Sequence, residues 1–185
     1  MRKLIYSMGV TLDGFIAGPG GEIDWSAPDD ELHSLHNERT RAVGVQLCGR
    51  RLYETMGYWD TAEQDPSLSE VGREFAEIWH ATPKLVFSRS LKTVGRNARL
   101  AEASVREEVA ALKAQPGQDL AVGGAGLAAE CIRLGLVDDF QIFVNPVVLG
   151  AGTPFFPPLE ERIKLELVET RTFPSRVVYL RYQLA

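Results

Sequence analysis

Three stretches of this chain put hydrogen-bond donors where an anion could be held. Residues 119–134 read DLAVGGAGLAAECIRL: an apolar run meets Gly123, Gly124, Ala125 and Gly126, and from Leu127 apolar residues recur at helical spacing. This pattern is strand, turn, helix. A glycine turn lets a ligand approach the backbone closely, and the free N–H groups and positive dipole end of the helix suit a phosphate. Residues 44–51 (GVQLCGRR) repeat the plan. A short buried strand ends at Gly49, and Arg50 and Arg51 open the next helix with planar donor forks matched to phosphate oxygens. The third stretch is KLVF, residues 84–87, a strand that ends in Ser88, Arg89 and Ser90, whose hydroxyls and guanidinium can also bind an anion. Ligands of open α/β sheets gather at the carboxyl ends of strands, so three such ends predict one extended ligand with several phosphates.

Carboxylates and aromatic rings form a second set of candidates. Pro28-Asp29-Asp30-Glu31 reads as a helix start, with acidic groups placed to complement the dipole. In a partly apolar cleft the pKa of Asp30 would rise, and Asp30 could then donate a proton near neutral pH. Asp13 heads an Asp-Gly turn and is a polar candidate at the same pocket. Trp25 closes a glycine-rich loop and can wall a ligand site, and Tyr53 follows the two arginines on their helix. Thr153 sits in the loop GAGTPFFP, residues 150–157. His33 and His36 share a helix face, but no carboxylate or cysteine cluster accompanies them, so no metal site is expected. Cys48 and Cys131 lie in apolar surroundings and are most simply buried thiols.

The elements that must position these groups follow from hydropathy period and turn residues. Strands are expected over residues 3–10, a short piece ending at Ala17, 44–48, 84–87, 120–122, 138–149 with a break at Asn145-Pro146, and a final pair over 163–173 and 176–184. Helices are expected over about 29–42, from Arg50 through Met56, over 67–80, over 104–114 with Ser104 and Glu107 as a capping box, and after Gly124. Strands alternating with helices and then strands alone mean a mostly parallel sheet finished by an antiparallel hairpin. Neither an internal repeat nor a linker interrupts residues 1–185, which read as one domain.

With 45% apolar and 24% charged residues, the 185-residue chain can bury a real core. A formal charge of −5 argues against a nucleic-acid surface, which needs a concentrated basic face. No stretch has the apolar length of a membrane span, and the first residues lack the pattern of a secretory signal. A cytoplasmic protein acting on a small molecule is the expectation.

Taken together, the segments Asp13-Gly14-Phe15-Ile16-Ala17, Gly49-Arg50-Arg51-Leu52-Tyr53-Glu54, Leu85-Val86-Phe87-Ser88-Arg89, Gly123-Gly124 and Gly152-Thr153-Pro154-Phe155-Phe156 resemble, in order and spacing, the dihydrofolate reductase superfamily. Within it the likeness is to the C-terminal reductase domain of bifunctional riboflavin-biosynthesis enzymes. The resemblance implies a three-layer α/β fold with a mixed, mostly parallel sheet of about eight strands and helices on both faces. It implies an NADPH-dependent reductase that transfers a hydride to a small heterocyclic or C=N/C=O substrate, and a homodimer. Arg50 and Arg51 would lie beside the cofactor phosphates, Ser88 and Arg89 would hold the 2′-phosphate, and Gly123, Gly124, Ala125, Gly126 and Leu127 would cradle the pyrophosphate, with Thr153 nearby. Asp30, five residues after Trp25, matches the acidic residue facing the substrate ring, with Asp29 as its rival. Asp13, Trp25 and Tyr53 would line the substrate site. The substrate could be the phosphoribosylated aminopyrimidine of riboflavin biosynthesis or a pterin; the alternative is a module that binds NADPH without catalysis. Two departures stand out. Leu52 replaces the Thr or Ser usual in dihydrofolate reductases, and GRRLYETMGYWD does not reproduce the motif with which riboflavin-pathway reductases hold their phosphoribosyl substrate.

Overall fold

A computed structural model describes residues 1–26 and 28–185. Its centre is a parallel core in which β1 (Leu4–Thr11) lies between β6 (Asp119–Gly123) and β7 (Asp139–Asn145). Beyond β6 follow β3 (Val43–Gly49), β4 (Lys84–Phe87) and the short edge strand β5 (Ala98–Leu100). On the other side β10 (Val178–Leu184) runs antiparallel to β7 and pairs with β9 (Leu165–Thr172). The resulting eight-stranded order is β5-β4-β3-β6-β1-β7-β10-β9. A separate two-stranded ribbon joins β2 (Phe15–Ala17) to β8 (Thr153–Pro154). The expected mixed sheet with its C-terminal hairpin is therefore present; the sequence reading missed β5 and β8, which are too short to show a period.

Strand alternation divides the core between the two faces of the sheet. On one face Leu4, Tyr6, Leu47, Leu120, Val122 and Phe140 pack against Val105, Val109 and Leu112 of α4 (Val105–Ala114) and Leu127, Ala128, Cys131 and Ile132 of α5 (Ala125–Arg133). On the other, Phe143 and Tyr179 meet Leu32 and Leu35 of α1 (Asp30–Arg41). The helix α3 (Glu70–Ala81) packs beside α1. Both cysteines are free and buried. Cys131 belongs to the first core, whereas Cys48 follows the inward-facing Leu47 and so points to the opposite face, which rules out a bridge between them.

The helix starts show how local chemistry set the boundaries. Asp29, Ser69 and Ser104 cap α1, α3 and α4 by accepting the N–H of Leu32, Gly72 and Glu107, and Ser104 with Glu107 forms the full capping box. The helix α2 (Arg50–Met56) and α5 differ: their N-cap residues are Gly49 and Gly124, which offer no side-chain acceptor.

Candidate functional site

Because β3, β4 and β6 are parallel, their carboxyl ends reach one edge of the sheet, and a groove of about 920 Å³ opens there. Its walls are Gly49 to Leu52, Phe87 to Arg89, Ala101, Ala103 to Val105, Gly124 to Leu127, and Glu130. Arg50, Arg51, Ser88, Arg89, Gly124, Ala125, Gly126 and Leu127, drawn from three separate sequence stretches, thus share one cavity. Gly124 has φ +92°, a conformation that L side chains rarely adopt, and this turn delivers the chain into α5. The two helices without a side-chain cap, α2 and α5, both start in this groove. The first N–H groups of a helix have no partner within it; at α5 the residues concerned are Ala125, Gly126 and Leu127, and the positive dipole end adds to them.

Arg51 and Arg89 are exposed at the walls, while Arg50 forms an ion pair with Glu54, 2.9 Å away. Ser88 Oγ accepts the N–H of Ser90 and of Leu91, which folds the chain after β4 into a tight turn and carries Arg89 at its tip. Ser88 Oγ also lies 3.4 Å from Ser90 Oγ, a contact in which either hydroxyl can donate. Glu130 is the acidic member of the lining, so basic groups and free N–H donors dominate the groove.

The remaining sequence candidates lie outside it. Gly123 is buried behind the groove; a Cβ there would meet Leu52 Cδ2 at 2.4 Å, so its smallness seats the Leu52 side chain. Thr153 pairs with Ala17 in the β2–β8 ribbon. Asp13, expected at the pocket, holds a loop instead: its carboxylate accepts Thr11 Oγ1 and the N–H groups of Leu149 and Gly150. Those bonds, led by the Thr11 hydroxyl, hold its carboxyl below the usual range. Tyr53, expected to wall the substrate site, uses its hydroxyl to accept the Gly95 N–H at 2.8 Å, which ties α2 to the loop after Ser88 and Arg89. The sequence carried no signal for this bond, since its partners are 42 residues apart.

The two rival aspartates separate by geometry. Asp29 is committed, one oxygen accepting Leu32 N–H and the other Ser175 N–H, and the Leu32 bond leads the causes that keep its carboxyl below the ordinary value. Asp30 follows it on the first turn of α1 and is exposed. The partly apolar cleft expected around Asp30 is therefore not its setting. Trp25 is half-buried, and its indole Nε1 is enclosed without a hydrogen-bond partner among the described residues. Also among the described residues, no group of acidic, histidine or cysteine side chains is arranged to hold a metal, and no helix is long and apolar enough to cross a membrane.

The ends of three parallel strands, the starts of α2 and α5 and the three arginines Arg50, Arg51 and Arg89 thus face one cavity. The chain matches the RibD C-terminal domain over residues 2–179 and belongs to that family. The uncharacterized protein YyaP of Bacillus subtilis (strain 168) is 37% identical over 182 residues, covering 98% of this chain and 94% of that protein. A solved structure of a putative riboflavin biosynthesis protein from Shewanella sp. PV-4 matches with a TM-score of 0.73 at 20% identity, over 100% of this chain and 99% of that one. Dihydrofolate reductase from Enterococcus faecalis, solved in complex with NADP(H), matches with a TM-score of 0.62 at 18% identity, over 98% and 96% of the two chains. The fold is that of the dihydrofolate reductase superfamily, and the family is one of reductase domains.

Proposed function

We propose that this protein is an NADPH-dependent reductase of small heterocyclic or C=N/C=O substrates. The observation that carries this reading is the convergence of α2 and α5, the two helices lacking side-chain caps, on a groove bearing Arg50, Arg51, Ser88 and Arg89. Donors without internal partners, in a cavity long enough to touch three strand ends, fit the phosphates of a dinucleotide. The N–H groups of Ala125, Gly126 and Leu127 would hold the pyrophosphate, Arg50 and Arg51 would neutralise it from the opposite wall, and Ser88 with Arg89 would take the 2′-phosphate. The bound nicotinamide would supply the hydride.

The chain itself would position the substrate and provide a proton. Trp25, half-buried, offers an indole face. Asp30 is the carboxylate assigned to the proton, because its neighbour Asp29 is occupied with two backbone N–H groups. By analogy with the family, a cytoplasmic homodimer is part of this proposal; light scattering tests the dimer.

The deciding experiment titrates NADPH and NADH by nicotinamide fluorescence and then follows NADPH consumption against a panel of pyrimidines and pterins. Tighter binding of NADPH and turnover of at least one heterocycle are expected. Equal affinity for both cofactors would refute the 2′-phosphate assignment, and tight NADPH binding without any oxidation would leave a cofactor-binding module.

A further inference from the structure

The helices leave part of the sheet bare. On the face that carries them, α5 lies on β3 and β6, and α4 packs against α5. Beyond β1 the same face continues across β7, β10 and β9. There the loop after β8 lays Phe156 against Phe140, ring centroids 5.4 Å apart, near the start of β7. The register then sets Tyr182 and Leu167 beside Phe140 in one cross-strand row, and Ile142, Leu180 and Thr170 in the next. Every paired residue of the three strands on this face is apolar, tyrosine or threonine, whereas the alternate residues, turned to the opposite face, include Asp139, Arg181, Glu166, Glu169 and Arg171. Leu167 is 54% exposed, Leu184 46%, and Val168, the extra residue where the β9–β10 register shifts, 49%. Among the described residues, these three are the only exposed large apolar side chains that belong to an α-helix or a strand.

The charges at the border of this plane are balanced and unspent. Its lower end opens into a second cavity of about 500 Å³, between the end of α5 and residues 158–163. Phe140, Ile163 and Leu184 give the cavity an apolar wall, and Arg133, Arg162, Glu160 and Glu161 stand exposed at its rim. None of these four charges has an ion-pair partner among the described residues. Two positive and two negative groups beside an uncharged plane make a surface complementary to itself, since a two-fold axis offers each group its opposite sign and the planes meet no like charge. The formal charge of −5 therefore resides on the rest of the chain, where a second copy would be repelled.

The extent of the plane fits the same occupant. Three strands about 4.8 Å apart, seven or eight residues long at about 3.4 Å each, give roughly 15 by 25 Å, about 370 Å² in flat projection. The relief of the side chains enlarges that area, and monomeric proteins rarely leave an apolar patch beyond a few hundred Å² uncovered. With the charged rim added, the surface is of the order that one partner brings to a standard interface, roughly 800 Å².

We infer that two copies of this chain pack these bare faces together about a two-fold axis, sheet on sheet, with the rims of the two cavities closing the contact. The inference gives the homodimer proposed above its surface and stands apart from the reductase reading. The groove lies at the ends of β4, β3 and β6, on the other side of β1, so each protomer keeps its own groove open.

The test follows association of the intact protein by sedimentation equilibrium, and a dimer is expected. Leu167→Glu and Leu184→Glu, at positions exposed in the single chain, each place two carboxylates in the contact and are expected to raise the dimer dissociation constant at least about a hundredfold. Leu12→Glu, at a site 68% exposed but on the turn after β1, is expected to change it by no more than about twofold. Both face variants are expected to keep the parent's circular dichroism and, as monomers, its NADPH affinity, which separates loss of contact from loss of fold. A parent that stays monomeric at every concentration overturns the inference, as does a dimer that Leu167→Glu and Leu184→Glu leave intact. A dimeric parent that fails to bind NADPH would overturn the reductase reading alone.

Discussion

A single substitution at Gly126 separates the stability of α5 from its proposed role as an anion cradle. Gly126 is the second residue of α5, exposed and lining the groove, and a Cβ added there meets nothing within 4 Å. Replacing it by Ala removes a helix-destabilising glycine, worth up to about 1 kcal/mol. Replacing it by Asp gains less from propensity but adds roughly 0.3–1 kcal/mol of favourable interaction with the dipole. Both variants should therefore unfold at higher denaturant than the parent in the absence of ligand. Their cofactor affinities should diverge. A carboxylate about 5 Å from a bound pyrophosphate charge repels it by roughly 3 kcal/mol at an effective dielectric of about 20. Solvent screening at this exposed position halves that at least, leaving an affinity loss of about tenfold. NADPH titration of the two variants is the assay. If Gly126→Asp and Gly126→Ala bind NADPH equally well, no phosphate sits over α5 and the assignment of the groove fails.

Four further outcomes are expected. Arg89→Ala should weaken NADPH by roughly tenfold while barely changing NADH, and an equal loss for both would move the 2′-phosphate elsewhere. Asp30→Asn should leave the NADPH dissociation constant intact and lower kcat, whereas unchanged kcat removes Asp30 from proton delivery. Gly152→Ala places a Cβ 2.1 Å from Ala17 O at a φ of +152°, so a loss of about 3 kcal/mol or more is expected in chemical unfolding; an unaffected midpoint would contradict the geometry of the β2–β8 ribbon. Burial pushes His36 from the usual 6.5 down to about 4. Between those values the unfolded chain takes up a proton that the folded one refuses, so stability should fall as pH drops through this window, and His36→Leu should flatten that slope.

Much of the fold was legible because its signals are local. The run KLVF between Pro83 and Ser88 coincides with β4, Asp29 and Ser104 marked helix starts through their own hydrogen bonds, and the glycine turn before Ala125 announced the end of β6. The groove was legible for the same reason, since each wall is a strand end followed by donors. What escaped depends on distant partners. Nothing in ARL reveals that Ala98–Leu100 pairs with β4, and nothing near Asp13 shows that its carboxylate waits for Leu149 and Gly150. Asp30 was misjudged in its surroundings because burial is decided by how α1 lies on the sheet, while its neighbour Asp29 reaches across to the hairpin turn at Ser175.

The bond from Gly95 N–H to the Tyr53 hydroxyl has a mechanical consequence. Arg50 and Arg51 ride on the helix that carries Tyr53, and Arg89 rides on the segment that carries Gly95, so these two walls of the groove are pinned to each other. On the proposed reading, a dinucleotide would then meet walls already tied together, and less freedom would be lost on its arrival.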